Sequence, residues 1–439
     1  MRNSSGLNRR RFLGLAAGVG VALPLLDTGG AHAASPSAGD PDKLFKDGHF
    51  KRAEHGYRRL LKENADNAHA AAQIGYIALL SNRFADAERF LRRAVALKPD
   101  DEFSLYQLAD CFVRQDRLAA AVPWLRRRGE LTGSQTDLAH AKLYETIQGT
   151  PWQVHGPQST RIPFLGLEPL PHMEISVNGT APRTFLLDTG ATTAGLSMRL
   201  AKEAGLEVIS ESTGRADGQQ FKMYYGIARS VRIGDLEVRN APVHWNEADR
   251  PNLPDGTEAE GTIGTVHFYH FLTTMDYGHR QFVMRRRTAA NRRAVRAEVA
   301  RLKGETLPLW LAKDHFPCTL GSLDDFGPRV VTFDTGGPGR GIGTSVAFAE
   351  RAGIEMGPPE PWKGGVGHRI APERLSLGRA TRRRVTGWAE ENPRVGAGMK
   401  FDTIANFTHD FFKPFAITFD YDDMNLYITG DSMDPDTGR

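Results

Sequence analysis

Cysteine is almost missing from this chain of 439 residues: only Cys111 and Cys318 occur. They fall in different expected domains, which leaves little room for a disulfide framework or a cysteine metal site. Cys111, inside "LADCFVRQ", reads as a buried structural thiol. Strong charge of one sign is lacking too. The formal net charge is +4, and Arg2, Arg9, Arg10 and Arg11 against Asp27 put most of it before residue 34. Global charge therefore gives no footing for a nucleic-acid partner. No apolar run reaches transmembrane length, and Leu15–Leu26 is too short and too Gly-rich for a stable membrane span. Neither HExxH, a P-loop nor a GxSxG elbow is present, so zinc, nucleotide and serine chemistries have no motif to rest on. No metal site and no cofactor is expected.

The length calls for two or three domains. At the N-terminus "NRRRFLG" has paired arginines, one residue, then Phe12-Leu13. A short apolar run and the small residues Ala31 and Ala33 of "AHA-A" follow. This resembles a twin-arginine export signal over residues 1–33, and implies a periplasmic or secreted bacterial protein.

Residues 40–149 are poor in Pro and Gly and dense in helical periodicity. Ala53, Ala87 and Ala121 recur at a spacing of 34, with Tyr57, Leu91 and Leu125 four residues later. Gly75 and Ala109 take the close helix-crossing position, and Pro99 closes one unit. The pattern resembles the tetratricopeptide repeat, roughly two and a half copies of it, and implies paired helices that bind a protein partner.

After the linker "QGTPWQVHGPQ" the texture becomes that of short strands and tight turns. It also doubles. "PRTFLLDTGATT" (182–193) matches "PRVVTFDTGGPG" (328–339) at an offset of 146. "HFLTTMDY" (270–277) matches "PFAITFDY" (414–421) at an offset of 144. The expected organisation is a first lobe over 160–287, a basic, solvated linker helix over 288–304, a second lobe over 305–430 and a tail over 431–439.

Asp-Thr-Gly occurs four times. At average composition one copy arises by chance in roughly one chain in ten of this length. The copy in "LLDTGG" (25–30) lies inside the export signal without strand context, so Asp27 is set aside. The copy at Asp436 lies in the tail, also without strand context, and those at Asp188 and Asp334 follow apolar strands inside matching repeats. The region from about Ile162 to Thr429 resembles the retropepsin-like aspartic proteases, with two lobes fused in one chain. The fold class is thus multidomain: an all-α tetratricopeptide-repeat domain, then an all-β, bilobal aspartic-protease-like domain.

That resemblance implies Asp188 and Asp334 as a catalytic pair sharing one proton and activating a water on a polypeptide substrate. Thr189 and Thr335 would bind across to the opposite turn. Gly190 and Gly336 would let backbone approach the carboxylates. Gly264 in "GTIGTV" would cross beneath the first turn, and the Gly-marked stretches at Gly218 and Gly364–Gly367 would form flaps. Two departures stand out. Ala191 and Gly337 follow Asp-Thr-Gly where pepsin-type enzymes carry Ser or Thr, which implies a working pH nearer neutral. The second-lobe match to Gly264 is Thr408. The leading expectation is an exported aspartic endopeptidase whose repeats recruit substrate or a partner. The alternatives are a non-catalytic peptide-binding scaffold with a decayed second lobe, and a carboxylate glycosidase.

Overall fold

The computed structural model describes residues 39–433 except 192–193, 217–218, 249, 251, 314, 363–364, 393–395, 397 and 431–432. The stretch expected to be an export signal, Asp27 within it, and the end of the tail lie outside the described residues.

Helices come first: α1 (Pro41–Lys46), α2 (Phe50–Glu63), α3 (Ala68–Leu80), α4 (Phe84–Leu97), α5 (Glu102–Val113), α6 (Leu118–Thr132) and α7 (Gln135–Thr146). Asn67, Asp101 and Ser134 begin α3, α5 and α7, each side chain accepting from the backbone N–H three residues on. These caps recur at about the repeat spacing and set where every second helix starts. A Cβ on Gly75 of α3 would lie 2.6 Å from Leu91 of α4, so glycine is what lets the two helices close. Ala53, Ala87, Ala109 and Ala121 are all buried.

These helices share a core with the β region. Phe45, Phe50 and Tyr76 pack with Trp310, Met399 and Phe401. Tyr76 donates to the Met399 carbonyl (3.2 Å) and Asn82 to that of Tyr421 (3.0 Å). Arg114, its charge balanced by Asp110 at 2.5 Å, donates to the Leu311 carbonyl at 3.0 Å. Part of the helical surface is therefore covered by this chain's own strands.

The first β half runs β1 (Gln153–His155), β2 (Ser159–Pro163), β3 (His172–Val177), β4 (Arg183–Leu187), β5 (Gly195–Ser197), α8 (Met198–Glu203), β6 (Ser210–Ala216), β7 (Gln219–Ile233), β8 (Leu236–Asn246), β9 (Gly261–Ile263), α9 (Thr265–Phe268), β10 (Phe271–Asp276) and β11 (Gln281–Arg286). Helix α10 (Ala289–Arg301) follows. The second half runs β12 (Glu305–Pro308), β13 (Trp310–Ala312), β14 (Phe316–Leu323), β15 (Phe326–Asp334), β16 (Ile342–Ser345), α11 (Val346–Arg351), β17 (Met356–Trp362), β18 (Gly365–Ile370), β19 (Leu375–Leu377), β20 (Ala380–Arg382), β21 (Gly387–Glu390), β22 (Asn406–Thr408), α12 (His409–Phe412), β23 (Phe415–Asp420) and β24 (Asn425–Gly430).

One sheet belongs to each half, in the orders β1-β8-β5-β9-β4-β3-β7-β6 and β17-β18-β21-β16-β22-β15-β14-β19-β20. A third sheet, β12-β24-β23-β10-β11-β2, draws equally on both. At its centre Thr274 of β10 faces Thr418 of β23, with hydroxyls 2.7 Å apart. The apolar ends of β4 and β15 are buried, as continuous apolar runs should be.

Two expectations need correction. Helix α10 is docked rather than a solvated linker. Val295 and Val299 are buried against Leu272 and Tyr427, and Arg287 and Arg292 pair with Asp422 while Arg296 pairs with Asp423 at 2.5 Å. Basic residues on one helix face meet the acidic β23–β24 turn. The expected strand-turn-strand of the second half is also broken. In the first half β7 and β8 are long and continuous, whereas β18/β19 and β20/β21 are separate pieces. Pro372, at the place of Ala228, has no N–H to give the ladder, and the strand stops there. Both turns that follow keep a glycine at positive φ, Gly234 and Gly378, each at 58°.

Candidate active site

Strands β4 and β15 each end at an aspartate, and the two turns meet face to face. A Cβ on Gly190 would lie 2.7 Å from an Asp334 carboxylate oxygen, and one on Gly336 would fall onto the Asp188 carboxylate. Neither position has room for any residue but glycine. Within each turn the glycine N–H donates to its own aspartate at 2.8 Å.

The threonines lock the turns together. Thr189 N–H donates to Thr335 Oγ1 and Thr335 N–H to Thr189 Oγ1, both at 3.0 Å. Each hydroxyl then donates across the junction, Thr189 to the Phe333 carbonyl (3.2 Å) and Thr335 to that of Leu187 (3.1 Å). Both side chains are buried. Four reciprocal bonds leave the turns little freedom to separate.

Strand β9 runs parallel to β4 with Ile263 beside Leu187, and β22 runs parallel to β15 with Thr408 beside Asp334. Gly264 sits directly under the first turn: a Cβ there would collide with the Ala191 carbonyl. Thr265 N–H donates to that carbonyl at 3.1 Å, and its hydroxyl to the Thr189 carbonyl at 2.7 Å. Thr408 has nearly the same backbone, φ −125° and ψ −178° against −124° and −171° for Gly264. Any residue adopts that conformation. What differs is which partner carries the bulk: a Cβ on Gly337 would lie 2.7 Å from Thr408 Cβ. Ala191 over Gly264 and Gly337 over Thr408 fill the same contact from opposite sides. Thr408 is compensated, and its hydroxyl donates to the Arg340 carbonyl at 2.7 Å.

Sequence reasoning missed Asn406. Its Nδ2 donates to Asp334 Oδ2 at 3.0 Å, while its Oδ1 accepts from the Thr332 hydroxyl at 2.8 Å. Thr262 holds the equivalent place on β9, opposite Leu186. A buried polar residue in an otherwise apolar strand, "ANFT", was the available signal. Asn406 supplies the donor that a Ser or Thr after Asp-Thr-Gly would have given, but to Asp334.

The carboxylates lie deep in the molecule, with part of their surface open. Burial, then the neighbouring Asp334 carboxylate, push the Asp188 carboxyl well above the usual carboxylate range, against the Gly190 and Ala191 N–H groups. Like charges this close oppose ionising both carboxyls together.

Gly218 and Gly364 lie outside the described residues. The strands around them form hairpins, β6 with β7 and β17 with β18, and Gly365–Gly367 lie on β18. Cys111 and Cys318 are buried free thiols, both pushed up to about 12 by burial. No helix among the described residues is long and apolar enough to cross a membrane.

Residues 173–265 match the family model for aspartyl protease, and residues 44–104 that for tetratricopeptide repeat. The first match covers Asp188-Thr189-Gly190 and Gly264. The repeats suggest interaction with proteins. No curated protein matches the chain. Among solved structures, a mutant of the Thermobaculum terrenum O-GlcNAc transferase matches at 20% identity with a TM-score of 0.23. That match covers 26% of this chain and 22% of the transferase, so the chain spans about a fifth of that structure's length.

Proposed function

We propose that this chain is an exported aspartic endopeptidase with two retropepsin-like lobes, periplasmic or secreted, that hydrolyses polypeptides with Asp188 and Asp334. The observation that carries the reading is the junction of the two Asp-Thr-Gly turns, cross-bonded through Thr189 and Thr335 with each glycine facing the opposite carboxylate. The palindromic order of the shared sheet and the equivalent β4–β9 and β15–β22 pairings support a duplicated lobe.

In this reading Asp188 keeps the shared proton, as its raised affinity favours. Asp334, bonded by Asn406, takes a proton from a water lying between the carboxylates. That water attacks the scissile carbonyl. Asp188 donates to the oxygen that becomes negative, and a proton passes to the leaving nitrogen as the C–N bond breaks. The tetratricopeptide helices recruit substrate or a partner through surfaces that the β region leaves open, such as the outward sides of α4 and α6.

The test is cleavage of an unfolded protein by wild type, Asp188→Asn and Asp334→Asn. Each variant should lose at least about a thousandfold in rate. Wild-type cleavage by either variant would sink the dyad. The scaffold reading gains only if the wild type binds peptides and cuts none between pH 3 and pH 8.

A further inference from the structure

Beside Asn406 lies a cavity of about 80 Å³, lined also by Arg340, Ser345, Phe348, Glu390 and Thr403 among others. By volume it holds roughly five to eight water-sized atoms. One side chain connects it to the aspartates: Asn406, on its wall, donates to Asp334.

Its polar content is unusual for an interior. Arg340 is 7% exposed, yet its Nε and Nη1 have no hydrogen-bond partner among the described residues. Glu390 is the nearest counter-charge, 3.8 Å from Nη1, too far for a hydrogen bond. Glu390 is itself anchored, its Oε1 accepting from Trp362 Nε1 at 2.9 Å. Trp362, at the end of β17, also lies over the Arg340 guanidinium (5.5 Å) and stacks on Trp388 (4.1 Å). The arginine is thus held in place with donors unused. Burying such donors is costly unless something arrives to meet them. The first half has no such pair. In the matching register Ser197 faces Asn246, where Ser345 faces Glu390.

We infer that this cavity is a substrate side-chain subsite that takes a primary carboxamide, glutamine or asparagine, between Arg340 and Glu390. The amide oxygen accepts from the guanidinium and the amide NH₂ donates to the Glu390 carboxylate. A substrate carboxylate satisfies Arg340 equally but lies against the like charge of Glu390. An apolar side chain leaves the Arg340 donors unmet. A glutamine side chain has five heavy atoms beyond Cα, within the space available. The inference rests on the proposed peptidase reading, since it places a substrate side chain beside Asn406, which donates to Asp334.

Two measurements test it separately from hydrolysis. In the first, peptide pools differing only in Gln, Glu or Leu at each position around the cut are digested, and relative kcat/KM is read by mass spectrometry. At one position adjacent to the scissile bond Gln should exceed both Glu and Leu by about tenfold or more. Arg340→Met should bring the Gln-to-Leu ratio close to one. Glu390→Gln should raise Glu substrates relative to Gln ones, a charge effect that simple loss of packing does not produce. In the second, the same peptides are titrated against full-length Asp188→Asn by fluorescence anisotropy, which needs no catalysis. Gln-selective binding without wild-type cleavage keeps the subsite and removes the peptidase. Cleavage or binding with no preference, or with Glu above Gln, overturns the carboxamide assignment. Should Arg340→Met not fold, by melting curve, Glu390→Gln carries the decision.

Discussion

The first β half keeps Gly264 bare beneath Ala191, while the second puts Thr408 beneath a bare Gly337. The first leaves Asp188 with backbone donors, and the second gives Asp334 the side-chain amide of Asn406. The first has an unbroken β7–β8 hairpin, and the second interrupts it at Pro372. The two halves thus differ where a change on one side of a contact is met by a change across it. The four threonine bonds at the junction have no such slack, because each donor and acceptor there serves the opposite turn, and those residues are the same in both halves.

That contrast can be broken by substitution, and the largest effect belongs at the shared junction. Asp188→Asn and Asp334→Asn should each abolish cleavage, as described above, since either loss removes the pair. Next comes Gly264→Ala. Its Cβ meets a backbone carbonyl in a turn held by four hydrogen bonds, so it should cost about 3 kcal/mol of stability in urea titration and reduce activity with it. Gly337→Ala should cost about 2 kcal/mol for the same reason. Adding Thr408→Gly, which recreates the first-half arrangement, should recover part of that. Additive losses in this double-mutant cycle would mean that the exchange of bulk is not a compensation.

Asn406→Thr makes the second half resemble the first at the next point of difference. Losing a donor to the charged carboxylate should lower kcat/KM about tenfold and move the acidic limb of the pH–rate profile up by roughly one pH unit. An unchanged limb would leave Asn406 a packing residue.

Asp188 also couples to stability. Its raised proton affinity means that the folded state holds a proton where the unfolded chain has released it, so stability falls as pH rises through the ordinary carboxylate range toward the raised value. Asp188→Asn should therefore melt higher than wild type at pH 7, and the gain should vanish below about pH 4. The smallest effect expected is at α10. Asp422→Asn, loosening a half-exposed cluster with Arg287 and Arg292, should cost about 1 kcal/mol or less in the same titration.

Much of this was legible in the chain itself. A period of 34 placed the helix pairs because close packing admits only small residues at fixed steps. The two apolar runs into Asp-Thr-Gly marked β4 and β15, since a strand buried on both faces shows no alternation. Local pattern carries that information because a turn, a cap or a buried strand is decided by neighbours in sequence. What it left open depends on residues far apart in sequence. Asn406 bonds a carboxylate 72 residues away, Thr408 is acceptable only because Gly337 stands against it, and α10 is docked by acids beyond residue 420. The cover that the strands give the repeat helices is of the same kind. Sequence determined the elements and the two aspartates; which side chains meet across them, and so how the pair is biased and what lies beside it, was decided by tertiary packing.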